Sequence, residues 1–130
     1  MIVVDASVIV SALADGGPDG RNVRARVSGE HLAAPEVIDL EVVSAFRRLC
    51  SAGRLDGDRA EAAIADLQEL RIQRVPHRSL LERCWELRET MTVYDASYVA
   101  LAESLQATLL TGDQRLAKAP GARCVFEVVS

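Results

Sequence analysis

Short runs of branched apolar residues alternate along this chain with longer stretches of 3.6-residue periodicity. Ile2-Val3-Val4 is the first run, and a continuous β-branched segment reads as a strand buried on both faces. It stops at Asp5, after which Val8, Ile9, Ala12 and Leu13 fall at helical spacing. Asp15-Gly16-Gly17-Pro18-Asp19-Gly20 predicts a loop, then a short helix over about Arg21–Val27 and a weak strand at His31–Ala34. Pro35 suits the first turn of a long helix that runs to about Cys50, with Gly53 as its stop. A second amphipathic helix is expected from about Asp58 to Leu70, and Ile72–Val75 reads as a strand closed by Pro76. Ser79–Thr90 is predicted helical, with Leu80, Leu81, Cys84 and Leu87 on one face and Trp85 nearby. A helix opening close to Asp95 continues to Leu105. Thr108–Thr111 is a buried strand, Gly112–Ala117 a short helix and Cys124–Val129 a final strand. Strands separated by helices imply an α/β fold, three-layer α/β/α, with a short, mostly parallel sheet. No repeat, low-complexity tract or linker breaks the pattern, so residues 1–130 read as a single domain.

Composition narrows this picture. Aromatic residues make up only 4%, so the core must be built from Val, Leu, Ile and Ala, which suits helices on a parallel sheet better than a β-sandwich. A net charge of -4 provides no global basic footprint for nucleic acid. Yet of the 15 basic residues only Lys118 is a lysine, and arginine is the side chain suited to bidentate phosphate contacts. Cys50, Cys84 and Cys124 are odd in number, scattered and without metal-ligand spacing, as expected of reduced core residues. The apolar start has no basic segment before it and is broken by Asp5, and no apolar run approaches the roughly 18 residues of a membrane span. These features predict a cytoplasmic protein with no membrane partner.

The candidate chemistry lies in the acids. Asp5 stands where a buried strand ends, and in open α/β sheets that carboxyl-end crevice is where ligands bind. Asp5 or Ser7 could equally serve only to cap the first helix. Asp113 repeats the arrangement: Leu109-Leu110-Thr111 is a buried strand, Gly112 permits a tight turn, and the acid opens the next helix. Asp95 also opens a helix, where an anion is favoured by free N–H groups, and capping alone is sufficient reason for it. Glu41 falls at the border between the apolar arc (Ile38, Val42, Ala45, Leu49) and the polar arc of its helix, whereas Asp39 sits deeper, beside Val43, Phe46 and Cys50. The helical wheel does not choose between them. Clustered carboxylates raise one another's pKa unless a cation is present, and an all-oxygen site suits Mg²⁺ or Mn²⁺ rather than zinc. His31 and His77 lie near other strand edges and read as surface or structural residues. There is no glycine-rich phosphate loop, nucleophile elbow or Cys–His pair.

Four segments together carry a family resemblance: Val3-Val4-Asp5-Ala6-Ser7, Ala34 to Val42, Tyr94 to Ala102, and Leu110 to Ala117. In their order and spacing the chain resembles a PIN-domain protein of the VapC type, the toxin of a toxin–antitoxin pair. The resemblance favours Glu41 over Asp39. It implies an endoribonuclease that cuts structured RNA with Mg²⁺ or Mn²⁺. Asp5, Glu41, Asp95 and Asp113 match the family's acidic cluster, with Asp5, Asp95 and Asp113 as metal ligands, while Ser7 and Thr111 match its supporting hydroxyls. Some relatives carry a further acid after the position of Asp113; here Gln114, Arg115 and Leu116 follow. The resemblance also implies a VapB-type antitoxin partner and a homodimer. Apolar residues on the long helices (Phe46, Leu49, Ile64, Leu67) point to a dimer surface as well. Arg48, two turns past Glu41, and Arg115, near a helix N-terminus, are the expected RNA-binding side chains.

Three rivals make different demands. A receiver-like phospho-acceptor needs paired acids after the first strand and a lysine after the last, whereas Lys118 precedes it. A phosphatase with an Asp-x-Asp nucleophile needs an acid where Ser7 stands. A PIN-like scaffold that binds RNA or a partner without cutting needs none of the four acids.

Overall fold

The computed structural model describes all of residues 1–130. Five strands, β1 (Ile2–Val4), β2 (Leu32–Pro35), β3 (Ile72–Val75), β4 (Thr108–Thr111) and β5 (Phe126–Val128), form one sheet in the order β3-β2-β1-β4-β5. Every pair is parallel, with Ile2 in register with Leu32 on one side and Thr108 on the other. β1 is therefore the middle strand, and its Val3 and Val4 are completely buried, as the unbroken apolar run predicts.

Helices α1 (Ala6–Ala14), α2 (Pro18–Val27), α3 (Ile38–Ser51) and α4 (Gly57–Glu69) pack on one another, while α5 (Leu81–Glu86) packs on α6 (Val93–Leu105). α6 lies against β1, β2 and β4, and every residue from Ala96 to Ala102 is buried. Ala96, Ala100 and Ala102 keep it slim enough for that approach. A four-residue helix, α7 (Gln114–Ala117), follows β4. No helix is long and apolar enough to cross a membrane.

Four expectations need correction. Pro35 does not open a helix: it closes β2, in register with Val75, and α3 begins only at Ile38. β1 pairs with Leu32 and Ala33 alone, so the N–H that Pro35 lacks falls beyond that ladder, and Glu36 N–H resumes bonding to Val75 at 2.9 Å. The glycine-rich loop is shorter than expected, because Pro18 starts α2. Gly20 is inside that helix, where a Cβ would overlap the Asp15 carbonyl. The helix expected to reach Thr90 stops at Glu86 after a 3-10 turn at Arg78–Leu80. There the Leu87 carbonyl accepts from the Thr90 hydroxyl and from the N–H groups of Thr90 and Met91, which replaces the helical ladder. Finally, Phe46 and Leu67 are core residues and offer no dimer surface, while Leu49 and Ile64 are half-buried against the core and offer only part of one. The mutual packing of α1, α3 and α4 consumes the rest of that face.

Candidate active site

The chain runs β1-β2-β3 outward in one direction and then returns to the other side of β1 with β4. The reversal leaves a crevice between the carboxyl ends of β1 and β4, the place where ligands enter sheets of this kind. Asp5 follows β1 and Asp113 follows β4 by two residues, so this crevice receives both.

Two hydroxyls tie the strand ends together. Asp5 Oδ1 accepts from Ser7 Oγ at 2.5 Å and from Val8 N–H at 3.3 Å, the second bond capping α1. Its Oδ2 accepts from the Thr111 hydroxyl. Thr111 Oγ1 in turn accepts from Asp113 N–H, and Ser7 Oγ from Gly112 N–H, both at 2.9 Å. A Cβ on Gly112 would stand 3.2 Å from Ser7 Oγ, so the absence of a side chain there permits the close approach. Asp113 caps α7 through Arg115 N–H at 2.9 Å and Leu116 N–H at 3.4 Å, with Arg115 Nε at 3.7 Å. Arg115 itself projects almost wholly into solvent.

The other two acids arrive on helix N-termini, which point to the carboxyl edge because crossover helices run back against the strands. Asp95 is in the first turn of α6, its N–H held by the capping hydroxyl of Thr92 at 3.1 Å. Glu41 is in the first turn of α3 rather than deep within the helix, a consequence of the late helix start. Its Oε1 accepts from Tyr98 Oη at 2.6 Å. Asp39 is engaged elsewhere. It pairs with Arg74 at 2.8 Å, and Arg74 also donates to the carbonyls of Leu67 and Leu70 at the end of α4. Long-range partners thus separate two acids that the helical wheel left equivalent.

Burial pushes the Asp5 carboxyl up, against the pull of Ser7, Thr111 and Val8, and the Asp113 charge adds to the rise. Asp95 is raised first by burial, then by Glu41, Asp113 and Asp5 in turn. Tyr98 is also pushed up, by burial and then by its bond to Glu41. The charges of the other three acids thus all reach Asp95, and of the four only Asp113 has a cationic partner. As the side chains stand, no three of them converge into a group able to hold a metal ion. Asp5 and Asp113 turn their oxygens onto neighbouring hydroxyls and N–H groups instead. His31 and His77 are exposed and take no part.

A stability test follows from Asp95. Its folded-state pKa lies above the ordinary value of 3.8, so protonated Asp95 favours the fold below that pH, and the contribution is lost as pH rises through the raised pKa. Asp95→Asn is expected to raise the unfolding midpoint in EDTA at pH 7 by about 2–4 °C. The gain should vanish below about pH 4, where Asp95 is protonated in the folded and the unfolded chain alike. A variant less stable than wild type at pH 7 would show that Asp95 is not under electrostatic strain.

A groove of about 940 Å³ opens beside the crevice at Ser7 and Glu41 and continues past Ser44 and Arg48 to Arg54 and Leu55. Arg48 is exposed there and donates to Ser44 Oγ at 3.1 Å.

Residues 2–122 match the family model described as the PIN domain. Ribonuclease VapC9 of Mycobacterium tuberculosis (strain H37Rv) is 40% identical over 129 residues, 99% of this chain and 98% of that one. The crystal structure of Mycobacterium tuberculosis VapC20, a Sarcin-Ricin loop cleaving toxin, shares the fold with a TM-score of 0.72 at 16% identity, covering 91% of this chain and 94% of that chain. VapBC2 from Rickettsia felis, solved bound to a DNA fragment from their promoter, does so at 0.69 and 14% identity over the full length of both chains. The chain belongs to the PIN-domain family, among its VapC ribonucleases.

Tyr98 is the site residue that sequence reasoning missed. Its sequence signals were a place in an apolar helix and in the Tyr94 to Ala102 segment, and neither says anything about a hydroxyl aimed at Glu41.

Proposed function

We propose that this chain is an endoribonuclease, the toxin of a type II toxin–antitoxin pair, which hydrolyses phosphodiester bonds in structured RNA with a carboxylate-held Mg²⁺ or Mn²⁺. Residues 1–130 would act as one ribonuclease domain. The observation that carries this reading is the gathering of acids at the sheet's reversal point, where Asp5, Glu41 and Asp113 all act on Asp95, in a chain 40% identical to a ribonuclease.

The donor set fits a hard divalent cation: every side-chain donor is oxygen, and the rise in Asp5 and Asp95 is what such a charge relieves. Asp5, Asp95 and Asp113 would hold it, drawn from their present partners, while Ser7 and Thr111 orient Asp5. A divalent ion in such a site acidifies a water and offsets charge on the scissile phosphate. Glu41 keeps Oε2 without a protein hydrogen bond, free to accept the proton of the attacking water. Water oxygen bonds to phosphorus as its proton passes to Glu41, the bond to the leaving ribose oxygen breaks, and that oxygen takes a proton from solvent.

Arg48 in the groove and Arg115 beside Asp113 are the proposed phosphate contacts, compensating for the net charge of -4. A VapB-type antitoxin is the proposed partner. A homodimer belongs to the same reading, supported now by exposed Leu40, Leu81, Trp85 and Tyr94; a monomer by sedimentation at micromolar concentration would refute it.

Cleavage of structured RNA should require Mg²⁺ or Mn²⁺, stop in EDTA and return when excess cation is added. Undiminished cleavage in EDTA would overturn the metal assignment, and tight RNA binding without cleavage in either ion would return the scaffold reading. In the same assay Arg48→Ala and Arg115→Ala should weaken RNA binding and flatten the slope of log affinity against log salt by about 0.7–0.9 for each lost contact. Unchanged slopes would place the phosphate track elsewhere.

A further inference from the structure

Tyr98 lies one helical turn past Asp95 on α6, and its hydroxyl reaches a second of the acids. It is the largest fully buried side chain, at 1% exposure in the middle of α6. Its hydroxyl reaches Glu41 on α3 across 57 positions of sequence. Glu41 has no ion pair and its carboxylate accepts no other protein hydrogen bond, while Asp95 carries like charge close enough to be raised by it. An unrestrained glutamate in that field would swing through its side-chain torsions toward the groove that opens beside it.

We propose that Tyr98 is a positioning residue for Glu41: its hydroxyl fixes one carboxylate oxygen so that the other is presented to the space shared with Asp5, Asp95 and Asp113. This rests on the metal-dependent ribonuclease reading above. The ring is clamped where α6 packs on β1, β2 and β4, and β1 and β4 are the strands that deliver Asp5 and Asp113. Glu41 enters from α3, on which none of these strands sets a position so directly. The Tyr98 bond refers Glu41 to the same rigid frame as the other acids. Hydrogen-bond partners of this kind orient site carboxylates, and removing one typically costs 10–100-fold in metal affinity or activity.

The test compares Mn²⁺ binding by calorimetry in wild type, Tyr98→Phe, Glu41→Gln and the double variant, with unfolding midpoints in EDTA. Phenylalanine keeps the ring and removes only the hydroxyl, so the fold is retained. Because Glu41 would act as the base and not as a ligand, Tyr98→Phe is expected to lower kcat about 10-fold or more with little change in KM for RNA, and to weaken Mn²⁺ binding by less, through the loss of a fixed nearby charge. Adding it to Glu41→Gln should bring no further loss, since the role runs through Glu41. A lowered midpoint with unchanged Mn²⁺ affinity and kcat would make the bond merely structural and overturn the proposal. A kcat lowered by Glu41→Gln but not by Tyr98→Phe would sink the positioning role and leave the ribonuclease reading intact. Failure of wild type to take up Mn²⁺ would remove both.

Discussion

Asp5→Asn should lower the rate of RNA cleavage by about 10³-fold or more while leaving a folded protein. A charge-stabilising cation contributes several kcal/mol to such a reaction, and each 1.36 kcal/mol is a factor of ten. The fold survives for a local reason. The Asn carbonyl can still accept from Ser7 Oγ and Val8 N–H, so the cap on α1 is kept. The Thr111 hydroxyl loses an anionic acceptor, but the cost of burying a charge at 6% exposure disappears with it. Single-turnover cleavage with the circular dichroism spectrum on the same sample decides the matter. A folded variant with wild-type activity would remove Asp5 from the chemistry. Equal cleavage by both proteins in EDTA would instead identify a contaminating nuclease.

Phe46→Ala should be the most damaging single change to stability, at about 3–5 kcal/mol, from lost transfer energy and the cavity left behind. Phe46 is 1% exposed on α3, within the packed group formed with α1 and α4. That loss is a large share of the roughly 5–15 kcal/mol that holds a domain together. Urea unfolding followed at two protein concentrations is the measurement. A large drop in midpoint that does not depend on concentration fits a core residue. A small drop that does would return Phe46 to an interface between copies, where the amphipathic pattern alone first placed it.

The contrast between Phe46 and Asp5 shows what pattern reading can reach. Strands β1 and β4 were legible because both their faces are buried, which leaves an unbroken apolar run with an acid at its end. Asp5 and Asp113 followed from that ending. The strand order did not, since crossover lengths alone do not say which side of β1 receives β4. Pro35 was misread because the first turn of a helix and the last residue of a strand demand the same φ; only pairing with Val75 distinguishes them. Choosing Glu41 over Asp39 needed Arg74, 35 residues from Asp39, and Tyr98, 57 residues from Glu41. Family resemblance favoured Glu41 from motif position, where the wheel could not choose. Whether Phe46 faced a neighbouring helix or a second copy was invisible to periodicity, because both partners ask for the same apolar stripe.

The middle place of β1 also has a consequence in time. Its pairing with β2 closes about 30 residues of chain, but the Thr111–Asp5 bond on its other edge spans 106 and the Ser7–Gly112 bond 105. At ribosomal speeds of about 5–20 residues per second, roughly 5–20 s separate the emergence of Asp5 from that of Thr111. During that interval β1 offers one unpaired edge, the kind of surface that recruits foreign strands. α1 to α4 can meanwhile assemble on contacts that close short loops. The pairing that closes the second edge of β1, followed only by that of β5 on β4, is the one that brings Asp113 to Asp5. A growing chain therefore carries Asp5 and Asp113 apart from one another until nearly all of it has been made.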